Sequence, residues 1–167
     1  GPGATNASAG VHIAMQDSIP MILFIGQVAS HAREREAFQE VDYKRFFGDI
    51  AKWVVEIDDA ARIPELVTRA FAVATSGRPG PVVVSLPEDM LTSLADAPDA
   101  LPFTPVETRP GEHEMQQLEE LLAKAERPFV ILGGTRWDAE AVSRFQRGND
   151  VGNGHVVAQH RRRIDLA

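Results

Sequence analysis

Glycines, amides and a few acid–base side chains, in a chain without cysteine, are the groups from which any chemistry here must be built. Without cysteine there can be no disulfide, thiolate metal site or sulfur nucleophile, which fits a reducing compartment. Gly1-Pro2-Gly3-Ala4-Thr5-Asn6 reads as a glycine-framed loop, the kind that leaves a buried strand and lets backbone approach a ligand. No strand precedes it, so the chain is expected to be a piece of a larger protein. Gly26-Gln27, after an apolar run, is expected to open a second ligand-facing loop. Glu40 and Asp42 have the chemistry of general bases, although a solvated or subunit-facing position is the commoner use of such carboxylates. His31 shares their loop without an identifiable partner, and His12 is expected to be packed or capped on a helix. His113, His155 and His160 form no metal-ligand spacing with any Asp or Glu, so no metal site is expected. Gly133-Gly134 is followed by Thr135 and Arg136, which breaks the dinucleotide fingerprint and leaves close packing as its expected role. Arg78-Pro79-Gly80-Pro81 is expected to be a rigid turn, with Arg78 in an interdomain or subunit ion pair.

Composition narrows the classes. With 167 residues and 44% hydrophobic content the chain can build a core, and its net charge of −7 argues against a general nucleic-acid binder. Arg161-Arg162-Arg163 is the one strongly basic run and reads as a solvated or anion-facing segment. The longest apolar stretch, Ile19 to Ile25, is interrupted by Pro20 and falls far short of the roughly 20 residues of a membrane span. A soluble protein is expected, with neither nucleic acid nor membrane as partner.

The elements that must position these residues follow from periodicity. Ala7 to Asp17 has helical spacing, with Ala9 and Ile13 on one side and Val11, Ala14 and Met15 on another. Met21 to Gly26 is an uninterrupted apolar run, the pattern of a parallel strand covered on both faces. Ala32 to Glu40 reads as a loop, Asp42 to Phe47 as a short helix and Ala51 to Ile57 as a strand. Ile63 to Ala74 is a 3.6-period helix with Pro64 in its first turn, and Val82 to Leu86 is a strand. Strand, helix and strand in this alternation require βαβ crossovers, hence a parallel sheet with helices on both faces. Residues 95–111 have the proline, aspartate and alanine of a linker. Beyond them lie a helix from Glu114 to Ala125, a strand from Pro128 to Gly134, a helix from Trp137 to Phe145 and one more strand at Val156-Val157-Ala158.

Four segments stand in order: Gly1-Pro2-Gly3-Ala4-Thr5-Asn6; Asp17-Ser18-Ile19-Pro20 running into Ile25-Gly26-Gln27; Ala37-Phe38-Gln39-Glu40; and Ala74 to Val84 with Pro87-Glu88-Asp89. A fifth is Arg127-Pro128 leading to Leu132-Gly133-Gly134. In this order they resemble the thiamine diphosphate-dependent decarboxylases and carboligases, especially the acetolactate synthase-like branch, and the resemblance fades after about Phe145. It implies that residues 1–94 are the C-terminal half of a pyrimidine-binding domain, incomplete in its thiamine diphosphate-binding fold. Residues 95–111 would be a linker, and 112–167 the truncated start of a Rossmann-like central domain.

The resemblance also implies roles. Pro2, Gly3 and Asn6 match the loop near the cofactor's pyrimidine, and Gln27 is assigned to cofactor binding too. Phe38 and Gln39 match a segment near the reacting carbons, where an amide can donate to a developing alkoxide. Thiamine diphosphate with Mg2+ is the implied cofactor, with FAD admitted as a second. The parent would take a 2-keto acid, work in the cytoplasm and assemble as a homodimer or homotetramer. The glutamate that activates the pyrimidine, and the ligands of magnesium and diphosphate, match nothing in this chain, so the isolated chain is expected to be inactive. A non-catalytic α/β binding or assembly module is the alternative; an unrelated nucleotide-binding domain rests on fold analogy alone.

Overall fold

The computed structural model describes residues 1–132, 137–149 and 155–158, and divides the chain into two compact units, Gly1–Glu107 and Thr108–Ala167. The expected Gly133-Gly134 turn, His160 and Arg161 to Arg163 lie outside the described residues.

The opening residues of the first unit are helical where a loop is expected. Pro2–Asn6 forms α1, and Ser8–Gln16 forms α2 after a break at Ala7. Proline at a first helical turn loses no hydrogen bond and starts with the right φ. The Gly1 carbonyl accepts from the Ala4 and Thr5 amides, both at 3.1 Å, which closes the turn. Of the two apolar faces expected on α2, the one with Val11 and Ala14 is buried, while Ile13 is exposed. Ser18 then takes a left-handed conformation, φ 57°, and the Ile19 amide closes back on the Ala14 carbonyl, a cap geometry usually given to glycine.

Met21–Gln27 is β1, Tyr43–Phe47 is α3, Trp53–Glu56 is β2, Ile63–Thr75 is α4 and Pro81–Pro87 is β3. The three strands are parallel in the order β1-β3-β2, with Phe24 opposite Val84, Gln27 opposite Pro87 and Glu56 opposite Ser85. Side chains alternate across a strand, so the successive valines of β3 feed two cores. Val83 packs with Val11, Ile25, Tyr43, Phe47 and Ala51 beneath α2 and α3. Val82 and Val84 pack with Ile57, Leu66, Ala70 and Ala74 beneath α4. All three valines are fully buried, each contributing about 1.5–3 kcal/mol. The full cover expected for β1 belongs to β3 instead. At the edge of this sheet, β1 leaves Phe24 47% exposed.

Within the first unit, Arg78 turns to the end of α2. Its guanidinium donates to Ser18 Oγ at 2.8 Å and to the Met15 and Gln16 carbonyls, each at 3.0 Å. It therefore satisfies carbonyls that the end of α2 would otherwise leave open.

In the second unit, α5 spans Glu112–Lys124, β4 Phe129–Leu132, α6 Ala139–Asn149 and β5 His155–Ala158. The two strands pair in parallel, Phe129 opposite His155. The apolar face expected on α5 exists, but Leu118, Leu121 and Leu122 are all exposed.

Candidate functional site

The three parallel strands end together, and α/β sheets bind ligands just beyond such ends. Gln27 closes β1, Glu56 closes β2, and Ser85 lies opposite Glu56 near the end of β3. Glu56 Oε2 accepts from Ser85 Oγ at 3.1 Å and from Gln27 Nε2 at 3.2 Å. Gln27 Nε2 also donates to the Val41 carbonyl at 2.7 Å, while its Oε1 accepts from the Val28 amide at 3.0 Å. The ligand-facing position expected for Gln27 is therefore not where its amide points. It is buried and knits the loop onto the strand ends, because a polar side chain at a covered strand end must find partners inside.

From this polar floor rises the loop that carries the other candidates. Arg33 Nε donates to Glu56 Oε1 at 3.0 Å, and Arg33 Nη1 donates to Glu40 Oε1 at 2.8 Å. Glu40 also accepts from the backbone amides of Glu34 at 2.7 Å and Ala37 at 3.3 Å. These amides, Glu34 foremost, hold the Glu40 carboxyl below the usual glutamate range with Arg33's help, outweighing desolvation. Glu40 is thus an ionised clasp rather than a solvated carboxylate or a free base. Asp42 caps α3, its Oδ1 accepting from the Arg45 amide at 3.0 Å. Tyr43 donates its hydroxyl to the Gly26 carbonyl at 3.3 Å, and burial, followed by the charge of Glu56, raises its pKa.

Phe38 and Gln39 sit at the outer end of this loop. Phe38 is 88% exposed, and Gln39 is exposed with φ 69°. Glu34 and Glu36 are left-handed too, at φ 60° and 55°, so this short loop concentrates conformations that L residues avoid. Pro2, Gly3 and Asn6 are exposed on α1. The two segments meet through Gly1, where an added β-carbon would lie 2.8 Å from the Gln39 carbonyl oxygen. At Gly3 it would meet nothing within 4 Å, so packing does not explain the glycine there. The structure thus brings Gly1, the residue before α1, against Gln39, so that the segments carrying Pro2, Gly3 and Asn6 and carrying Phe38 and Gln39 adjoin there, while Gln27 is buried.

His31 is exposed in the turn Ser30–Ala32, which is tied down by Asp89 Oδ1 accepting from the Ser30 amide at 2.9 Å and the Ser30 hydroxyl at 3.2 Å. His12 is exposed on α2 rather than packed or capped. His113 hydrogen-bonds with Gln117 Nε2 at 3.1 Å. Among the described residues no group of three His, Cys, Asp or Glu side chains could hold a metal ion.

Sequence reasoning passed over Arg33, Glu56, Ser85 and Tyr43. A signal for two of them was present. Glu56 interrupts the apolar run from Trp53 to Ile57 and Ser85 the run from Val82 to Leu86, and a polar residue inside such a run must find a buried partner.

The residues of the two adjoining segments fit one part of a thiamine cofactor. An exposed aromatic ring, a proline, a bare glycine backbone and two exposed amides suit an uncharged heteroaromatic ring with polar edges. They offer no cation or cation site for a diphosphate.

Residues 1–46 match the family described as thiamine pyrophosphate enzyme, N-terminal TPP binding domain. The acetolactate synthase large subunit of Lactococcus lactis subsp. lactis is 37% identical over 138 residues, covering 80% of this chain and 24% of its own length. Acetolactate synthase isozyme 2 large subunit of Escherichia coli K12 is 36% identical over 142 residues, 85% of this chain and 26% of that protein. Glyoxylate carboligase of Escherichia coli O157:H7 is 34% identical over 150 residues, 88% of this chain and 25% of that protein. The chain spans about a quarter of the length of these curated relatives.

Proposed function

The chain carries part of the N-terminal domain of a thiamine pyrophosphate enzyme, homologous to acetolactate synthase large subunits and glyoxylate carboligase, and we propose that it serves a 2-keto acid decarboxylase and carboligase of the acetolactate synthase type. The observation that carries this reading is the meeting of the start of α1 with the Phe38–Gln39 loop through Gly1.

In the proposal Pro2, Gly3 and Asn6 line the place of the cofactor's pyrimidine, and Phe38 shields the reacting centre from water. Gln39 donates an amide hydrogen bond to the oxygen that gains negative charge, without supplying a competing acid or base. Gln27 acts indirectly, holding the backbone at Val41 and Val28 so that the loop keeps its place. When bound, thiamine diphosphate supplies the electron sink for loss of CO2 from the 2-keto acid. None of these residues is assigned to magnesium or to the diphosphate, and FAD, which this branch admits, is assigned none either.

The 167-residue chain is inactive on its own in this reading. Glu40 and Glu56, two carboxylates at the site, are both committed to hydrogen bonds with the chain's own groups. Residues 1–94 act as part of a pyrimidine-binding domain, 95–111 as a linker and 112–167 as part of a Rossmann-like central domain. The parent works as a homodimer or homotetramer, a role for which exposed Phe24, Phe46 and Phe71 offer apolar surface. A cytoplasmic setting is supported by the absence of cysteine from the sequence. No helix of the described residues is long and apolar enough to cross a membrane.

Isothermal titration of the chain with thiamine diphosphate and Mg2+, paired with an assay for acetolactate from pyruvate, tests this. Neither saturable heat nor product is expected. Tight magnesium-dependent binding would show a complete cofactor site within these residues and overturn the reading of an inactive part.

A further inference from the structure

The stretch from Arg33 to Glu40 is nearly a closed ring. Glu40 reaches back to accept from the amides of Glu34 and Ala37, and three residues between Arg33 and Glu40 stand in left-handed conformations, with side chains that do not favour them. A ring of this kind holds its own shape, and Gln27 anchors the chain where it leaves the ring at Val41. Arg33 ties the ring itself to the sheet. Its Nη1 engages Glu40 within the ring, and its Nε engages Glu56 at the end of β2, where Ser85 and Gln27 already hold the other carboxylate oxygen.

We propose that Arg33 is a positioning residue whose guanidinium bridges Glu40 to Glu56 and so fixes the loop that presents Phe38 and Gln39. The planar guanidinium serves the two carboxylates from two separate nitrogens in a fixed geometry, whereas a lysine ammonium carries all its N–H groups on one atom and would hold the pair less firmly. The three side chains are 23%, 15% and 19% exposed, dry enough for the arrangement to matter. Removing the guanidinium would leave Glu40 and Glu56 as neighbouring carboxylates without the cation between them. The inference rests on the reading of Phe38 and Gln39 as site residues.

The test is amide hydrogen exchange of the full chain, followed by NMR without any cofactor. In Arg33→Met the Glu34 and Ala37 amides are expected to exchange at least about tenfold faster, with Val83 and Val84 in β3 unchanged; Arg33→Lys is expected to restore only part of the protection. Unchanged exchange at Glu34 and Ala37, or an equal loss across β3, would overturn the proposal, as would full restoration by lysine. If Arg33→Met does not fold, Glu40→Gln, which keeps an acceptor but removes the charge, is expected to loosen the same amides, and their unchanged protection would be equally adverse. These measurements need no ligand. Failure of the tie therefore leaves the titration result standing, and tight cofactor binding in the titration leaves the tie standing.

Discussion

At the scale of residues, the site is a contrast between side chains that look outward and side chains that hold them there. Phe38 and Gln39 are exposed, while Gln27, Ser85 and Tyr43 are buried and Glu56 is largely covered. Glu40 links the two sets, and its lowered pKa makes the link pH-dependent. A carboxyl whose folded pKa lies below its unfolded value adds stability that is fully present above the unfolded value. That stability is lost as pH falls through the folded value. Acidification from neutral pH to below the usual glutamate range is therefore expected to free the Glu34 and Ala37 amides before the sheet unfolds, visible as shifts of the Glu34 and Ala37 amide resonances. If those resonances move only together with β3, the carboxylate is not what holds the loop. Glu40 and Gln39 were legible in the sequence as groups with chemical potential. That one clasps the loop and the other crowns it was not, because both depend on where Arg33 and the Glu34 amide arrive.

At the scale of elements, the helix and strand periods of α2, α4 and β3 were readable because each buries a single regular face, and burial repeats with the period of the backbone. The opening helix was not. Gly-Pro-Gly carries turn residues, and only the Gly1 carbonyl accepting from the Ala4 and Thr5 amides converts them into α1. The cover of β1 escaped for a different reason, since an apolar run is the same for a central and an edge strand and pairing alone separates them. Arg78 shows how a charged residue in a surface turn can belong to another element. Arg78→Ala removes its bonds to Ser18, Met15 and Gln16 and is expected to lower stability by about 1–2 kcal/mol in denaturant unfolding. Arg78→Lys should recover less than half of that, for want of the planar fork. An unchanged midpoint for the alanine variant would mean that water satisfies the end of α2 equally well.

At the scale of the whole molecule, the two compact units meet in sequence at Glu107 and Thr108, and residues 93–111 between β3 and α5 carry no regular secondary structure. Brief digestion with subtilisin, read by mass spectrometry, is expected to cut first within 93–111 and to release a fragment containing the three-stranded sheet. First cuts between Met21 and Pro87 would argue against this stretch as a linker. What the sequence by itself determined is the class of architecture and the kinship. Periodicity demands alternating strands and helices, and short runs of glycine, proline and amide residues mark the thiamine enzymes. Tertiary structure alone decided which strand is central, which amide faces outward and which carboxylates are bound. Those outcomes depend on partners distant in sequence, as when Arg33 meets Glu56 or Glu56 meets Ser85 across the sheet. A local pattern states what a residue can do, and only the folded chain sets which groups come within hydrogen-bond reach of it.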